Sequence, residues 1–431
     1  MERVIYTRVY QWLELNDKLS KYQFGFRSSR GTADAVFNLI NNLYRSKDKG
    51  KVVAACFLDV RKAFDSIHHG ELLKRLTDLG IPPLYTNWFS AYLSNRSQSV
   101  ICNDTQSNIL PVKFGVPQGS ILGPLLFLCY INNLPSILKH CTISMYADDV
   151  VFYVEHQSSC IAENLLQADA SRVYDWFCQS GLCINTEKTQ VLMFNNNKDD
   201  PPPTIKMGGT VLKVCLEYEY LGITIDNNLN FDKNTGKTIS SASRRLYLLC
   251  KMRKMIPKST ACLIYKQTIL PVLDYCSYLN NGLTNAVQQR LQRVQNRCLR
   301  VCLKTNRRHR VTDLHSGCRV DYLDVRADLQ LLLLIRKYIY SDAHAAEDFG
   351  IVSKVAIENG VRTRSIDRME LIYPTDNKIS YRRCPLYRGI DLWNKLPPTC
   401  RTNPSVDSFK LQAKSILSTL SDTKWRRLPR Q

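Results

Sequence analysis

Three acids stand where acids are costly. Asp59 closes the apolar run Val52-Val53-Ala54-Ala55-Cys56-Phe57-Leu58. A carboxylate at the end of a buried segment needs a partner or a cation. Asp148 and Asp149 are adjacent, between two β-rich runs at 142–146 and 150–155. Neighbouring carboxylates repel each other unless a cation or a proton intervenes. Three carboxylates ending neighbouring strands would offer hard oxygen donors to divalent ions. The usual purpose of such a site is phosphoryl transfer, one ion serving the attacking oxygen and one the leaving oxygen. A second chemical feature is Gly115-Val116-Pro117-Gln118-Gly119-Ser120. Its glycines allow close backbone approach and its proline stiffens the turn, while Gln118 offers both a donor and an acceptor. Cys298, Cys302, His309, His315 and Cys318 are the tightest grouping of soft-metal ligand types, but zinc spacing wants shorter paired gaps.

The elements that must position these groups follow from periodicity. Residues 1–50 read as helix, loop, helix. The run 52–58 is short, apolar throughout and β-branched at its start, so it is expected as a strand buried on both faces. Asp65 and Ser66 offer N-caps to a helix over 71–79, which Pro82-Pro83 stops. Helices are predicted at 85–93, 121–134 and 161–178, and strands at 191–194, 211–216 and 220–225. A hairpin carries Asp148-Asp149 at its tip. From about residue 233 the pattern turns helical. There Val287, Leu291, Val294, Cys298 and Cys302 recur every three or four residues, and Arg290, Arg293, Arg297 and Arg300 run beside them. On a helix the two stripes lie about 100° apart, so one face packs and its flank can meet phosphates.

The chain has 431 residues, 44% of them hydrophobic and 23% charged. These values exclude a disordered tail, a collagen-like fibre and a coiled coil, and the length suits two or three packed units. Charge is uneven. Residues 1–240 hold 24 basic and 23 acidic groups, a net of +1; residues 241–431 hold 35 and 15, a net of +20. That asymmetry points to a polyanion, most simply nucleic acid. The 16 cysteines include no C-x-x-C pair, which favours reduced intracellular thiols over a disulfide scaffold. The longest nearly apolar runs, 121–131 and 331–335, are too short to cross a bilayer.

Taken in order, Phe57-Leu58-Asp59-Val60-Arg61-Lys62-Ala63-Phe64-Asp65, Gly115-Val116-Pro117-Gln118-Gly119-Ser120 and Tyr146-Ala147-Asp148-Asp149 resemble the palm motifs of reverse transcriptases. Their form is that of non-LTR (LINE-type) retrotransposons near the jockey and CR1 groups. Gln23-Phe24-Gly25-Phe26-Arg27 resembles the family's fingers motif. Gly181-Leu182-Cys183-Ile184-Asn185-Thr186-Glu187-Lys188-Thr189 and Tyr220-Leu221-Gly222-Ile223 resemble two later palm motifs. Leu270-Pro271-Val272-Leu273-Asp274-Tyr275 and Leu392-Trp393-Asn394-Lys395-Leu396-Pro397 look like the C-terminal region of these elements.

The resemblance implies an α+β right-hand polymerase: partial fingers at 1–50, an antiparallel-sheet palm at 51–232 with inserted fingers elements, a helical thumb at 233–305, and a basic, mostly helical C-terminal region at 306–431. It implies RNA-directed DNA polymerase activity. Asp59 and Asp148 would bind two Mg²⁺ ions, with Asp149 beside them and the Val60 carbonyl adding an oxygen; Mn²⁺ would substitute. Phe64 would exclude a 2′-hydroxyl by clash. Arg61, Lys62 and Ala63 would hold the triphosphate, and Pro117, Gln118 and Gly119 the nascent base pair. Lys188 would protonate the leaving pyrophosphate. Tyr220, Leu221 and Gly222 would grip the primer, Arg27 would touch template or nucleotide, and Arg290, Arg293, Arg297 and Arg300 would track the hybrid. Implied partners are an RNA template, a DNA primer or target DNA, and dNTPs, with no membrane and no small-molecule cofactor beyond the metal. The implied location is a cytoplasmic ribonucleoprotein and the nucleus. Trp393 and Trp425-Arg426-Arg427 are candidates to stack on nucleic acid. The family's upstream endonuclease has no match here, and its first fingers segment would precede Met1, so the chain reads as a 5′-truncated copy or a partial gene model. Three rival expectations are a catalytically silent nucleic-acid-binding remnant, an RNA-dependent RNA polymerase and an unfolded pseudogene product; Phe64 opposes the second.

Overall fold

The computed structural model describes residues 1–197, 200–341, 351, 369–373 and 383–426. In chain order, α1 (Glu2–Leu15) and α2 (Thr32–Asp48) precede β1 (Val52–Leu58) and β2 (Val60–Arg61). Then come α3 (His69–Asp78), α4 (Pro83–Leu93), β3 (Ser97–Gln98), β4 (Ile101–Cys102), β5 (Thr105–Gln106), β6 (Leu110–Pro111) and α5 (Leu122–Ile131). The hairpin strands β7 (Thr142–Tyr146) and β8 (Asp149–His156) lead to α6 (Ser159–Gln179), β9 (Cys183–Ile184) and β10 (Gln190–Phe194). The short strands β11 (Lys206–Met207), β12 (Thr210–Val211), β13 (Lys213–Cys215), β14 (Glu217–Tyr220) and β15 (Ile223–Asp226) follow. Helices α7 (Asp232–Met252), α8 (Lys258–Ile264), α9 (Leu270–Asp274), α10 (Asn285–Leu303), α11 (Val311–Cys318), α12 (Leu323–Ser341), α13 (Pro385–Lys395), α14 (Pro398–Arg401) and α15 (Val406–Arg426) complete the described elements. The chain forms two compact units, residues 1–35 with 50–221 and residues 36–49 with 222–431.

In the first unit the apolar run does become a central strand. The sheet order is β13-β10-β1-β8-β7, and all seven residues of β1 are buried. A strand with a neighbour on each edge and cover on each face needs no polar side chain. Val52, Ala54, Cys56 and Leu58 face a core with Leu122, Leu126, Ala170 and Phe177 of α5 and α6. On the opposite face Phe57 stacks on Tyr218 with ring centroids 4.2 Å apart. Pairing is antiparallel at β1–β8, β1–β10 and β7–β8; β10–β13 is parallel.

Local expectations shift in three places. The helix α3 is capped by His68, whose side chain accepts from the Glu71 amide, and not by Asp65 or Ser66. Those two amides instead donate to the Lys62 carbonyl in a tight turn. The expected strand over 211–216 is broken into β12 and β13, and the one over 220–225 into β14 and β15. Leu221 (φ +48°) and Gly222 (φ +77°) are both left-handed, which interrupts an extended chain.

The second unit is helical after β15. Trp393 is fully buried; its indole donates to the Met369 carbonyl at 2.8 Å and its ring lies 5.8 Å from Phe409. It is a core residue rather than a stacking platform. Asp274 of the Leu270–Asp274 helix forms a two-pronged ion pair with Arg326. Of the Trp425-Arg426-Arg427 tail, Arg427 lies outside the described residues. No helix among the described residues is long and apolar enough to cross a membrane.

Candidate active site

Register fixes where the acids meet. Leu58 pairs with Val150 across β1 and β8, so Asp59 leaves β1 beside the start of β8, where Asp149 stands. Tyr146 pairs with Asp149, which leaves Ala147-Asp148 as a two-residue hairpin turn. Such turns need positive φ, and Ala147 takes φ +55°, a strained choice for a residue with a Cβ.

The strain is held by the segment Gln23-Phe24-Gly25. Gln23 is 2% exposed. Its Oε1 accepts from the amides of Gly25 at 2.8 Å and Ala147 at 2.9 Å. Phe24 donates to the Met145 carbonyl and Met145 donates to the Tyr22 carbonyl. Gly25 must be glycine here: a Cβ would lie 2.4 Å from the Ala147 nitrogen.

Asp59 is held from the other side. Its amide donates to Thr189 Oγ1 at 3.3 Å, and its carbonyl accepts from the Asn185 amide at 2.8 Å. Thr189 Oγ1 in turn donates to the Asn185 carbonyl. The adjoining Val60 pairs with Ile184 between β2 and β9. The backbone of Asp59 and Val60 is thus set by the turn that carries Lys188, whose side chain is exposed.

The three acids share one field. Desolvation, then the Asp148 and Asp59 charges, push Asp149 up to about 6, although it still reaches solvent. Asp148 is raised too, by desolvation and then Asp59. Tyr218 is pushed up to about 12, first by burial and then by Asp149 and Asp59. Mutual repulsion of this kind is what a divalent cation relieves, and the carboxylates with the Val60 carbonyl are the hard oxygen donors it prefers. Among the described residues no three His, Cys, Asp or Glu side chains already converge as a closed ion cage.

Next to the acids, Lys62 is left-handed (φ +45°) and starts the turn that leads to Phe64. Arg61 and Lys62 are exposed and Ala63 is buried. Phe64 stacks on Phe127 at 4.6 Å and meets the edge of Phe26 at 6.3 Å. The Gly115–Ser120 loop is tied to the same turn. The Val116 amide donates to the Phe64 carbonyl, and the Gly115 amide to the Ile67 carbonyl. A Cβ on Gly115 would lie 2.9 Å from the Asp65 backbone. Gln118 Nε2 donates to Asp65 Oδ1 at 2.7 Å; Pro117 and Gly119 flank it.

Other expected contacts are spent inside the fold. Arg27 pairs with Glu14 at 2.5 Å and donates to the Ser20 carbonyl, with its side chain 9% exposed. Tyr220 is buried, its hydroxyl 3.4 Å from Ser144 Oγ, and Leu221-Gly222 is a turn. In the second unit, Arg290, Arg293 and Arg297 are exposed along α10, but Arg300 is half-buried. The buried face of that helix is Leu291, Gln292, Gln295, Cys298, Leu299 and Cys302, so Val287 and Val294 are only half covered. Gln23, Asn185, Thr189, Phe26 and Tyr218 have no role predictable from spacing. Their signal was their place inside or beside motifs whose chemistry lay in other residues.

Residues 1–225 match the family described as reverse transcriptase (RNA-dependent DNA polymerase). The chain belongs to the reverse transcriptase family. Enzymes of this family generally use divalent metal ions, in keeping with the carboxylate set above. The RNA-directed DNA polymerase from mobile element jockey of Drosophila melanogaster is 28% identical over 285 residues, covering 64% of this chain and 31% of the relative. The probable RNA-directed DNA polymerase from transposon X-element of the same fly is 27% identical over 328 residues, 74% of this chain and 36% of the relative. The chain therefore spans about a third of the length of the curated relatives it matches. A solved structure of apo telomerase from Candida tropicalis aligns with 81% of this reverse transcriptase chain and 54% of its own, at 12% identity and a TM-score of 0.45.

Proposed function

We propose that this chain is the polymerase region of a non-LTR retrotransposon and extends a DNA primer 3′-hydroxyl with deoxynucleotides on an RNA template. Its fold is read as a right-hand polymerase with partial fingers, palm, helical thumb and basic C-terminal region. The observation that carries the reading is the shared field of Asp59, Asp148 and Asp149 inside the family match over 1–225. Two divalent ions, Mg²⁺ by preference, would supply when bound the positive charge that favours the attacking 3′-oxygen and the leaving pyrophosphate.

The remaining chemistry belongs to the side chains. Asp59, Asp148 and Asp149, with the Val60 carbonyl, would hold the divalent ions. Gln23 and the Asn185–Thr189 turn keep those acids in place. The ring of Phe64, backed by Phe127, bars a 2′-hydroxyl. Arg61, Lys62 and the Ala63 amide meet the triphosphate. Gln118 leaves Asp65 for the nascent pair when substrate is bound. Lys188, on an exposed turn, gives a proton to pyrophosphate. The arginines of α10 and the excess charge of residues 241–431 follow the nucleic-acid backbone. The working locations are a cytoplasmic ribonucleoprotein and the nucleus.

Primer extension tests this: purified chain, RNA template, DNA primer, labelled dNTPs and Mg²⁺, beside the Asp148→Ala, Asp149→Ala double variant. Extension that disappears in the variant supports the polymerase. A folded wild-type chain that binds the hybrid without extending it would mean a silent binding remnant. Preference for ribonucleotides would mean an RNA polymerase.

A further inference from the structure

Folding gathers three cysteines that no spacing rule pairs. Cys262 lies on α8, Cys302 on α10, and Cys318 ends α11. The sulfurs of Cys262 and Cys318 are 3.6 Å apart, across 56 positions of sequence. Cys302 completes the group. Its sulfur donates at 3.5 Å to the carbonyl of Ala261, the residue that precedes Cys262, and it feels the charges of both other thiols. Helices α8 and α11 therefore bring their sulfurs together, with Cys302 of α10 beside them.

Packing holds them there. Gly317 lets α11 close on the end of α10; a Cβ in its place would lie 3.1 Å from Leu303 Cδ1. Arg253 donates to the carbonyls of Val301 and Cys302, which ties down the last turn of α10. His315 bonds the Val320 carbonyl at 2.9 Å and Asn296 at 3.1 Å. These bonds fasten the chain just past Cys318 to α10.

The three thiols are not equivalent. Cys302 and Cys318 are buried, while Cys262 reaches solvent. The Cys318 thiol is held down at about 6 by its hydrogen bond with Cys302, then that with Cys262, then Lys258 and Lys266, against a burial that would raise it. The Cys262 and Cys302 thiols are raised. The thiolate is the attacking form. The 3.6 Å approach of the Cys262 and Cys318 sulfurs is the contact that sulfur–sulfur chemistry needs. Intracellular disulfides outside hyperthermophiles are typically transient and redox-sensing.

We propose that Cys262, Cys302 and Cys318 form a thiol–disulfide exchange site, at which a peroxide joins Cys262 to Cys318 and ties α8 to α11 beside the arginine-bearing α10. The Cys318 thiolate attacks one peroxide oxygen, the O–O bond breaks, and hydroxide leaves and is protonated to water. The resulting Cys318 sulfenic acid is attacked by the Cys262 sulfur. An S–S bond forms, the S–O bond breaks, and the oxygen leaves as a second water carrying the Cys262 proton. The two cysteines together lose two electrons, and the peroxide gains them. The Cys302 sulfur can then attack Cys318 in the bridge, its proton passing to the released Cys262 sulfur, and an external dithiol reduces either form. The proposal does not depend on the polymerase reading.

The full chain is treated with hydrogen peroxide, its free thiols are alkylated, and the monomer is mapped by mass spectrometry. The expected product has lost two hydrogens. Its bridge maps to Cys262–Cys318, or to the exchange product Cys302–Cys318, and dithiothreitol restores all three thiols. In Cys302→Ala the bridge maps to Cys262–Cys318 alone. In Cys262→Ser that bridge is lost, and the oxidised Cys318 is recovered as a dimedone-trapped sulfenic acid or joined to Cys302. Cys318 that stays fully alkylatable after the exposed Cys250 has been oxidised would overturn the proposal, as would bridges mapping only to other cysteines. The wild-type mapping decides the matter even if a variant fails to fold.

Discussion

Ala147 sits at the centre of the candidate chemistry without any chemistry of its own. Its left-handed backbone turns Asp148 toward Asp59, and Gln23 Oε1 holds that backbone. Gln23→Met keeps the bulk and removes both accepted hydrogen bonds. We expect it to lower stability by about 1–3 kcal/mol, read by denaturant unfolding. The extension rate constant should fall roughly tenfold for each 1.4 kcal/mol of that loss felt at the acids, with hybrid affinity unchanged. A wild-type rate would mean the hairpin holds itself. Phe64 is argued on the same scale. Its ring is fixed between Phe127 and Phe26, so it can reject a 2′-hydroxyl only by volume. Phe64→Ala should raise ribonucleotide incorporation relative to deoxynucleotide by roughly 10–200-fold, the range that steric pockets deliver. An unchanged ratio in single-nucleotide addition would remove Phe64 from the discrimination.

At the scale of elements, α6 organises the entry to the hairpin that carries Asp148 and Asp149. Asp169 on α6 is fully buried and accepts from the amides of Lys139, His140 and Cys141 just before β7, and from Arg172. Burial alone would raise its pKa; the three amides and Arg172 outweigh it and hold the carboxyl low. The sign follows from linkage. A carboxylate depressed in the folded state contributes stability that is present above its unfolded value, near 4, and is lost as pH falls through the folded value. Asp169→Asn should therefore flatten the acid limb of the unfolding curve. At neutral pH it should cost about 1–3 kcal/mol for each amide left unsatisfied. An acid transition identical to wild type would show that other carboxylates set it. The Asn185–Thr189 turn acts in the same way on β1, since its bonds reach Asp59 through backbone groups. Such bonds are invisible to side-chain pattern, which explains why the motif could be recognised while only Lys188 was given a task.

For the whole molecule the relevant quantity is charge. Nearly all of the net +21 lies in residues 241–431, where counterion release would dominate binding. Affinity for an RNA–DNA hybrid should fall steeply with salt. Replacing Arg290, Arg293 and Arg297 with Gln should weaken binding across all sequences. The logarithmic salt slope should drop by about one for each phosphate that is no longer neutralised. Arg300→Gln should act less on the slope, because that side chain is half-buried. Equal slopes in fluorescence titrations of wild type and the triple variant would take α10 out of the interface.

The sequence alone made the family and much of the scaffold legible. A seven-residue apolar run that starts β-branched and follows a glycine turn fits a buried strand, so β1 and the position of Asp59 were readable, as were the hairpin with Asp148-Asp149 and the asymmetry of charge. These are local or additive properties. Tertiary structure decided what depends on partners distant in sequence. Arg27 was a free cation in the sequence and became the partner of Glu14. Tyr220 and Trp393 were candidates to touch nucleic acid and became core. The 220–225 strand broke because Leu221 and Gly222 turn left-handed. Gln23 reached Ala147 across 124 positions, and Cys262 met Cys318 across 56. Periodicity reports which face of an element is apolar; it carries no information about which distant backbone group will need a hydrogen bond once that face is buried.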